Sequence, residues 1–429
     1  MPTLRRPLSR PELLAPAGSL AMLRAGLAFG ADAIYAGQPR YSLRVRNNGF
    51  GRVETLAAAL AEARALGKSF YLVGNVVAHN AKTRTFLADM KPIVALGPDA
   101  LIMADPGLIS LVRETWPEMP VHLSVQANTV NFAAARFWQK LGIRRIILSR
   151  ELSLDEIAEI REECPDIELE VFVHGALCIA YSGRCLLSGY FNRRDSNQGA
   201  CTNACRWNYA VRPGGEDASG GVWLLEEKTR PGEPMPVEED RHGTYILNSK
   251  DLRALEHVQK LVEIGVDALK IEGRTKSPYY AARTAQVYRR AIDASLAGEV
   301  LDPALFSGLE GLANRGYTDG FLRHRRGSEM QNFLRGHSES ERSRYVGDVI
   351  ARDTERGLFE IDVKNRFSVG DRLEIVHPSG NFEITLNRME NSDGASIDIA
   401  PGNGHRVWIP LPDGGEYSGA FVARFLRNE

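Results

Sequence analysis

The fold class this sequence predicts is α/β: a (β/α)8 TIM-like barrel with a cysteine-rich insertion after its seventh strand, followed by a small C-terminal β-barrel. Three observations lead there. Between residue 12 and about residue 275, short apolar runs alternate with amphipathic segments of helix length, and there are eight such units. Strands alternating with helices make a parallel sheet, and eight units close a barrel. Second, a junction of the form Gly-x-Asp-Ala recurs at Gly30–Ala33, Gly97–Ala100 and Gly265–Ala268. Each places a glycine where a helix ends and an apolar strand begins. Third, the texture after Tyr345 changes to short alternating strands with tight turns. A doubly wound open sheet is the competing architecture.

In chain order, the expected barrel strands are Leu13–Ala15, Ala33–Tyr35, Phe70–Val77, Ala100–Met103, Val121–Val125, Arg145–Leu148, Leu169–Val173 and Ala268–Ile271. Helical patterns lie between them at Leu20–Phe29, Val53–Leu66, Gly107–Thr115, Phe132–Leu141 and Leu154–Glu162. The seventh unit is interrupted at His174. The interruption holds an expected strand at Val222–Leu225 and a Pro- and acid-rich loop at Glu226–Asp240, and order returns at Tyr245 before a helix over Asp251–Glu263. A further helix spans Pro278–Leu296. The organisation expected is a barrel over residues 1–313 carrying the insertion 174–244, a basic stretch over 314–344, and a β domain with a tail over 345–429. Expected strands of that domain include Tyr345–Ala351, Leu358–Val363, Arg372–Val376, Phe382–Leu386, Ser396–Ile399 and Arg406–Ile409.

Composition narrows the class. The chain has 429 residues, 44% hydrophobic and 25% charged, with a formal net charge of −1. Any nucleic-acid contact must therefore come from a local basic patch rather than a global field. The N-terminal MPTLRRPLSRPELLAP lacks the apolar centre of a signal peptide, and no run approaches the roughly 20 apolar residues of a membrane span. A cytoplasmic protein without membrane contact is the expectation.

In a barrel, residues just after the strands face the active site. Those positions hold Arg44 and Arg46, then Asn75, then Gln126 and Asn128, then Arg150, His174, Lys270, Glu272 and Arg274. Several arginines at one mouth suggest an anionic substrate, because the guanidinium fork matches carboxylate or phosphate. Gln126 and Asn128 have a plainer use in satisfying loop backbone groups. The motifs H-E-x-x-H, G-x-S-x-G and G-x-x-x-x-G-K-[ST] are missing.

Four of the five cysteines, Cys178, Cys185, Cys201 and Cys205, fall within a single stretch spaced C-x6-C-x15-C-x3-C and threaded with glycines. Gathered thiolates suit zinc or an iron–sulfur cluster, and the spacing leaves both open. Cys164, before Pro165, reads as a bystander. Between Asn314 and Arg344, arginines and histidines interleave with Tyr317, Phe321 and Phe333. That composition suits a solvated linker or a contact with single-stranded RNA.

The run Glu170-x-Phe172-x-x-Gly175-Ala176-Leu177-Cys178-x4-Gly183-x-Cys185-x-Leu187-Ser188 resembles the signature of peptidase family U32. ELLAPAGS (Glu12–Ser19), HLSVQANTVN (His122–Asn131) and KIEGRTKSPYY (Lys270–Tyr280) resemble it too. NRGYTDGFL (Asn314–Leu322), GHSESER (Gly336–Arg342) and VKNRFSVGD (Val363–Asp371) are similar to its branch that makes 5-hydroxyuridine at the tRNA wobble position. The resemblance implies a [4Fe–4S] cluster held by Cys178, Cys185, Cys201 and Cys205, with zinc the lesser alternative. It implies oxygen-independent hydroxylation with prephenate as oxygen donor, a dicarboxylate that suits the Arg-rich mouth. On this reading Arg150, His174, Glu272 and Arg274 bind the donor or move protons. Arg44, Arg46, Asn75, Gln126, Asn128 and Lys270 line the substrate site. The basic stretch and the β domain hold the anticodon arm. A U32-type peptidase and a non-catalytic RNA-binding metalloprotein are the alternatives. Oligomeric state is not legible.

Overall fold

A computed structural model describes residues 10–38, 40–42, 48–177, 209–217, 220–227, 232, 235–240, 243–246, 250–323, 340, 342–412 and 415–426. Each of the eight apolar runs becomes a strand: β1 (Glu12–Ala17), β2 (Ala33–Gly37), β3 (Ser69–Gly74), β4 (Ala100–Met103), β5 (Val121–Leu123), β6 (Arg145–Ile147) and β7 (Glu168–Ala176), with β13 (Ala268–Ile271) as the eighth. Neighbours pair in parallel, and β13 pairs with both β7 and β1, closing the barrel.

The recurrent Gly-x-Asp-Ala junction does more than end a helix. Gly30, Gly97 and Gly265 adopt positive φ, as a left-handed helix terminus requires. Each following aspartate then clasps the strand beside its own. Asp32 accepts from the Leu13 N–H at 3.0 Å, Asp99 from Phe70 at 2.8 Å and Asp267 from Leu169 at 2.8 Å. The three carboxylates fasten β1 to β2, β3 to β4 and β7 to β13 at the N-terminal rim of the barrel.

Several helices start where the sequence supplies a side-chain cap. Ser19 caps α1 (Leu20–Ala28), Asp105 caps α4 (Pro106–Thr115) and Asn131 caps α5 (Phe132–Lys140). Ser153 and Glu156 form a reciprocal capping box on α6 (Leu154–Glu163). Between them run α2 (Val53–Ala65) and α3 (Asn80–Val94). Cys164 closes α6, buried with its thiol against the Phe132 carbonyl, in keeping with a bystander.

In the insertion, β8 (Tyr209–Asp217), β9 (Gly220–Glu227), β10 (Met235–Asp240) and β11 (Gly243–Ile246) make an antiparallel sheet in the order β11-β10-β9-β8. The expected acidic loop is therefore partly strand, because Met235–Val237 extends the ladder of β9. The helix expected from Asp251 starts later. Asp251–Arg253 is a strand, β12, antiparallel to the end of β7, and α7 spans Val258–Ile264. Then come α8 (Pro278–Ala297), α9 (Ala304–Glu310) and β14 (Tyr317–Thr318), which pairs with β12. Residues 314–323, the described start of the expected basic stretch, thus sit on the barrel, with Leu322 in its core.

The C-terminal domain is an antiparallel sheet. Its strands are β15 (Ser343–Asp353), β16 (Leu358–Val363), β17 (Phe367–Ser368), β18 (Arg372–Val376), β19 (Phe382–Thr385), β20 (Glu390–Asn391), β21 (Ile399–Ala400), β22 (Arg406–Pro410) and β23 (Phe421–Phe425). The main sheet runs β19-β18-β23-β15-β16-β22-β20, with β17 and β21 paired separately. β23 lies inside it, between β18 and β15, although the sequence offered no strand there. The domain packs on α8: the Tyr345 ring stacks on Tyr279 at 4.8 Å, and Phe421 meets both Tyr279 and Phe29 at 5.8 Å. Arg283 pairs with Glu374 across the same junction.

Candidate active site

A column of alternating charge rises through the barrel. At its base Arg145 contacts Glu12 at 2.7 Å, Glu168 at 2.8 Å and Glu170 at 3.4 Å. Glu170, which is fully buried, accepts from the Lys270 ammonium at 2.6 Å. Lys270 lies 4.4 Å from the centre of the Tyr35 ring and 5.4 Å from that of Phe172. Burial pulls the Lys270 pKa down, against the pull of Glu170 in the other direction. Glu170 and Lys270 point inward because alternate residues of a barrel strand do so. Tyr35 carries the column to the mouth, donating to the Ile271 carbonyl at 2.9 Å and lying 3.2 Å from Glu272 Oε2.

Two arginines stand at the mouth. Arg150 stacks on Phe172 at 3.9 Å and donates to the Ala176 carbonyl at 2.6 Å, with Glu272 at 4.0 Å. Arg274 donates to Ser42 Oγ at 2.7 Å and lies 5.7 Å from the Tyr35 ring centre. It is 7% exposed, yet no carboxylate among the described residues pairs with it. A buried cation without a counter-ion is costly, and an anionic ligand removes that cost. Space for its guanidinium depends on Gly37, where a Cβ would stand 2.5 Å from Arg274 Nη1. Asn75 is buried and donates to Ser124 Oγ at 3.2 Å. Asn128 has left-handed backbone, φ 52°, and donates to the carbonyl of the exposed Gln126 at 3.3 Å. The loop-satisfying use is thus realised by Asn128.

His174 goes elsewhere. The β7–β13 register shifts between Lys270 and Ile271, so Lys270 opposes Phe172 but Ile271 opposes His174. A one-residue slip sends a side chain to the other face of the sheet. The imidazole is therefore enclosed behind the barrel wall, 5.5 Å from the Tyr288 ring, 5.6 Å from Tyr317 and 5.8 Å from Tyr280. Tyr288 spends its proton on the Val173 carbonyl at 2.7 Å, so its oxygen accepts from His174 Nδ1, 3.3 Å away. Burial pushes the His174 pKa down to about 3.

Among the sequence-derived site residues, the fold brings together Arg150, Lys270, Glu272 and Arg274 in one mouth. Arg44, Arg46 and the four clustered cysteines lie outside the described residues. Glu170, Tyr35 and Ser42 were missed as members of the constellation. The signal for Glu170 was an acid at an inward position of an apolar strand. Ser42 carried none.

The family model of peptidase family U32 matches residues 18–332, and that of the peptidase family U32 C-terminal domain matches 341–421. The chain is 56% identical over 445 aligned residues to tRNA hydroxylation protein P of Escherichia coli strain K12, covering 98% of each chain. It is 52% identical to the protein of the same name in Haemophilus influenzae, covering 98% of this chain and 97% of that one. With tRNA hydroxylation protein P1 of Bacillus subtilis it shares 36% identity, over 91% and 89% of the two chains.

Proposed function

The chain belongs to peptidase family U32, and from that membership we propose that it is an enzyme of tRNA hydroxylation. The product is 5-hydroxyuridine at the wobble position, formed without molecular oxygen and with prephenate as the oxygen donor. One observation carries the reading: near-full-length similarity, at 56% and 52% identity, to proteins named for tRNA hydroxylation. Arg274 supports a carboxylate-bearing donor, being a buried guanidinium with no carboxylate partner among the described residues.

In this reading Arg274 and Arg150 hold the carboxylates of the donor, and Ser42 orients Arg274. Glu272, beside Tyr35, moves a proton at the donor. Asn75, Gln126 and Asn128, with Arg44 and Arg46, serve substrate binding, while the basic stretch and the β domain hold the anticodon arm. Lys270, neutralised by Glu170, shapes the floor. His174 is held neutral behind the wall and supports the strand that leads into the cysteine segment.

The donor set suits a [4Fe–4S] cluster at Cys178, Cys185, Cys201 and Cys205. Four soft thiolates from one segment fit iron–sulfur chemistry. Cys164 is buried against Phe132 and unavailable to such a site. That segment departs from the end of β7, the strand whose Ala176 carbonyl receives Arg150. When bound, such a cluster supplies one-electron transfer. Zinc is the lesser alternative.

The test is mass analysis of tRNA nucleosides from a strain lacking the gene and any paralogue acting on the same base. Loss of 5-hydroxyuridine derivatives, restored by the wild-type gene and not by Arg274→Met, is expected. Unchanged derivatives overturn the reading. Iron and acid-labile sulfide in anaerobically purified protein separate the cluster from zinc.

A further inference from the structure

One end of the C-terminal sheet gathers positive charge around an aromatic ring. Arg372, which opens β18, lies 4.4 Å from the centre of the Phe425 ring, and Arg342 lies 5.7 Å from it. Both arginines are exposed, and Phe425 is half-buried. Arg342 has no carboxylate partner among the described residues. Arg372 has one, Glu383 at 2.8 Å, in an exposed pair of the kind that contributes little. In a chain of net charge −1 the two arginines make a local positive patch.

The patch is also well placed. Phe421, Ala423 and Phe425 share one face of β23, and Phe421 and Ala423 belong to the barrel core. Phe425 therefore lies where that face runs on past the contact between the domains. Ser343, paired with Phe425, comes so close to the turn after α9 that a Cβ on Gly311 would stand 2.5 Å from its Oγ. Arginines that grip phosphates beside a ring that stacks a base are the combination used for unpaired RNA.

We propose that Phe425, flanked by Arg342 and Arg372, is a docking platform for an unpaired loop of the RNA substrate. The proposal rests on the tRNA reading above and names the surface that reading requires. The test is binding of unmodified tRNA to full-length protein by fluorescence anisotropy across a salt series, with turnover measured alongside. Phe425→Ala should weaken binding roughly 5- to 150-fold, the effect of removing one base–aromatic stack. Arg342→Ala with Arg372→Ala should flatten the slope of log K against log salt by about 1.4, at about 0.7 for each single-strand phosphate no longer neutralised. Phe425→Trp should restore binding. KM for tRNA should rise in both weakened variants while kcat stays at the wild-type value. Unchanged affinity and slope in the double arginine variant overturn the platform, and that variant alters only exposed residues so that folding is spared. Equal loss of binding to heparin and to tRNA in Phe425→Ala also overturns it, because heparin has no bases to stack. A wild-type protein that binds tRNA through this patch but leaves it unhydroxylated would sink the functional reading alone.

Discussion

His174 offers a quantitative test because its ring is enclosed and neutral. In the unfolded chain it takes up a proton near its ordinary pKa of 6.5, whereas in the fold that pKa is about 3. Between those values the unfolded state binds the extra proton, so stability rises with pH and is lost as pH falls below 6.5. From about pH 7 to about pH 4.5 the linkage amounts to roughly 2.5 kcal/mol, at about 1.36 kcal/mol per pKa unit. His174→Phe keeps a ring among Tyr280, Tyr288 and Tyr317 but has nothing to protonate. It gives up the hydrogen bond with Tyr288, an offset of about 1 kcal/mol that is independent of pH in this range. Urea denaturation of both proteins across the interval should therefore show the variant losing roughly 2.5 kcal/mol less than the wild type. Parallel curves of stability against pH would refute the enclosed, neutral imidazole.

Two further outcomes follow from the column and from the mouth. Glu170→Met strands Lys270 and weakens the hold on Arg145, and should cost about 3–5 kcal/mol in urea denaturation. Adding Lys270→Met should recover part of that loss, with a coupling of about 0.5–3 kcal/mol, whereas strict additivity would contradict the buried pair. Gly37→Ala sets a methyl 2.5 Å from Arg274 Nη1 and 2.7 Å from Ser42 Oγ, displacing the guanidinium. KM for the proposed carboxylate donor should then rise roughly 10- to 150-fold, the worth of one hydrogen bond to a charged group. A wild-type KM would remove Arg274 from ligand binding.

The barrel was legible because its signals are local. Apolar runs of strand length and glycines at helix ends each act within a few residues, so they survive reading in one dimension. The mouth was partly legible for the same reason: Arg150, Lys270, Glu272 and Arg274 are all at strand ends. What escaped depends on partners far apart in the chain. Glu170 acquires its meaning from Lys270 and Arg145, and Ser42 from Arg274. The displacement of His174 comes from a slip in register between two strands, which neither strand encodes alone. β23 was missed because Phe421–Phe425 carries an arginine and ends near a terminus, yet its apolar face is what seats the second domain on α8.

The pairing of Ala176 with Asp251 means that the long excursion through the cysteines leaves and rejoins the barrel at adjacent points. Meanwhile β7 and β13 are joined directly, with Asp267 locking the seam. The hoop is complete without the excursion, which makes that segment a module hung on a finished scaffold. A short turn grafted between Ala176 and Asp251 would leave every barrel strand in register. Closure of the barrel therefore rests on the β7–β13 ladder and not on that segment.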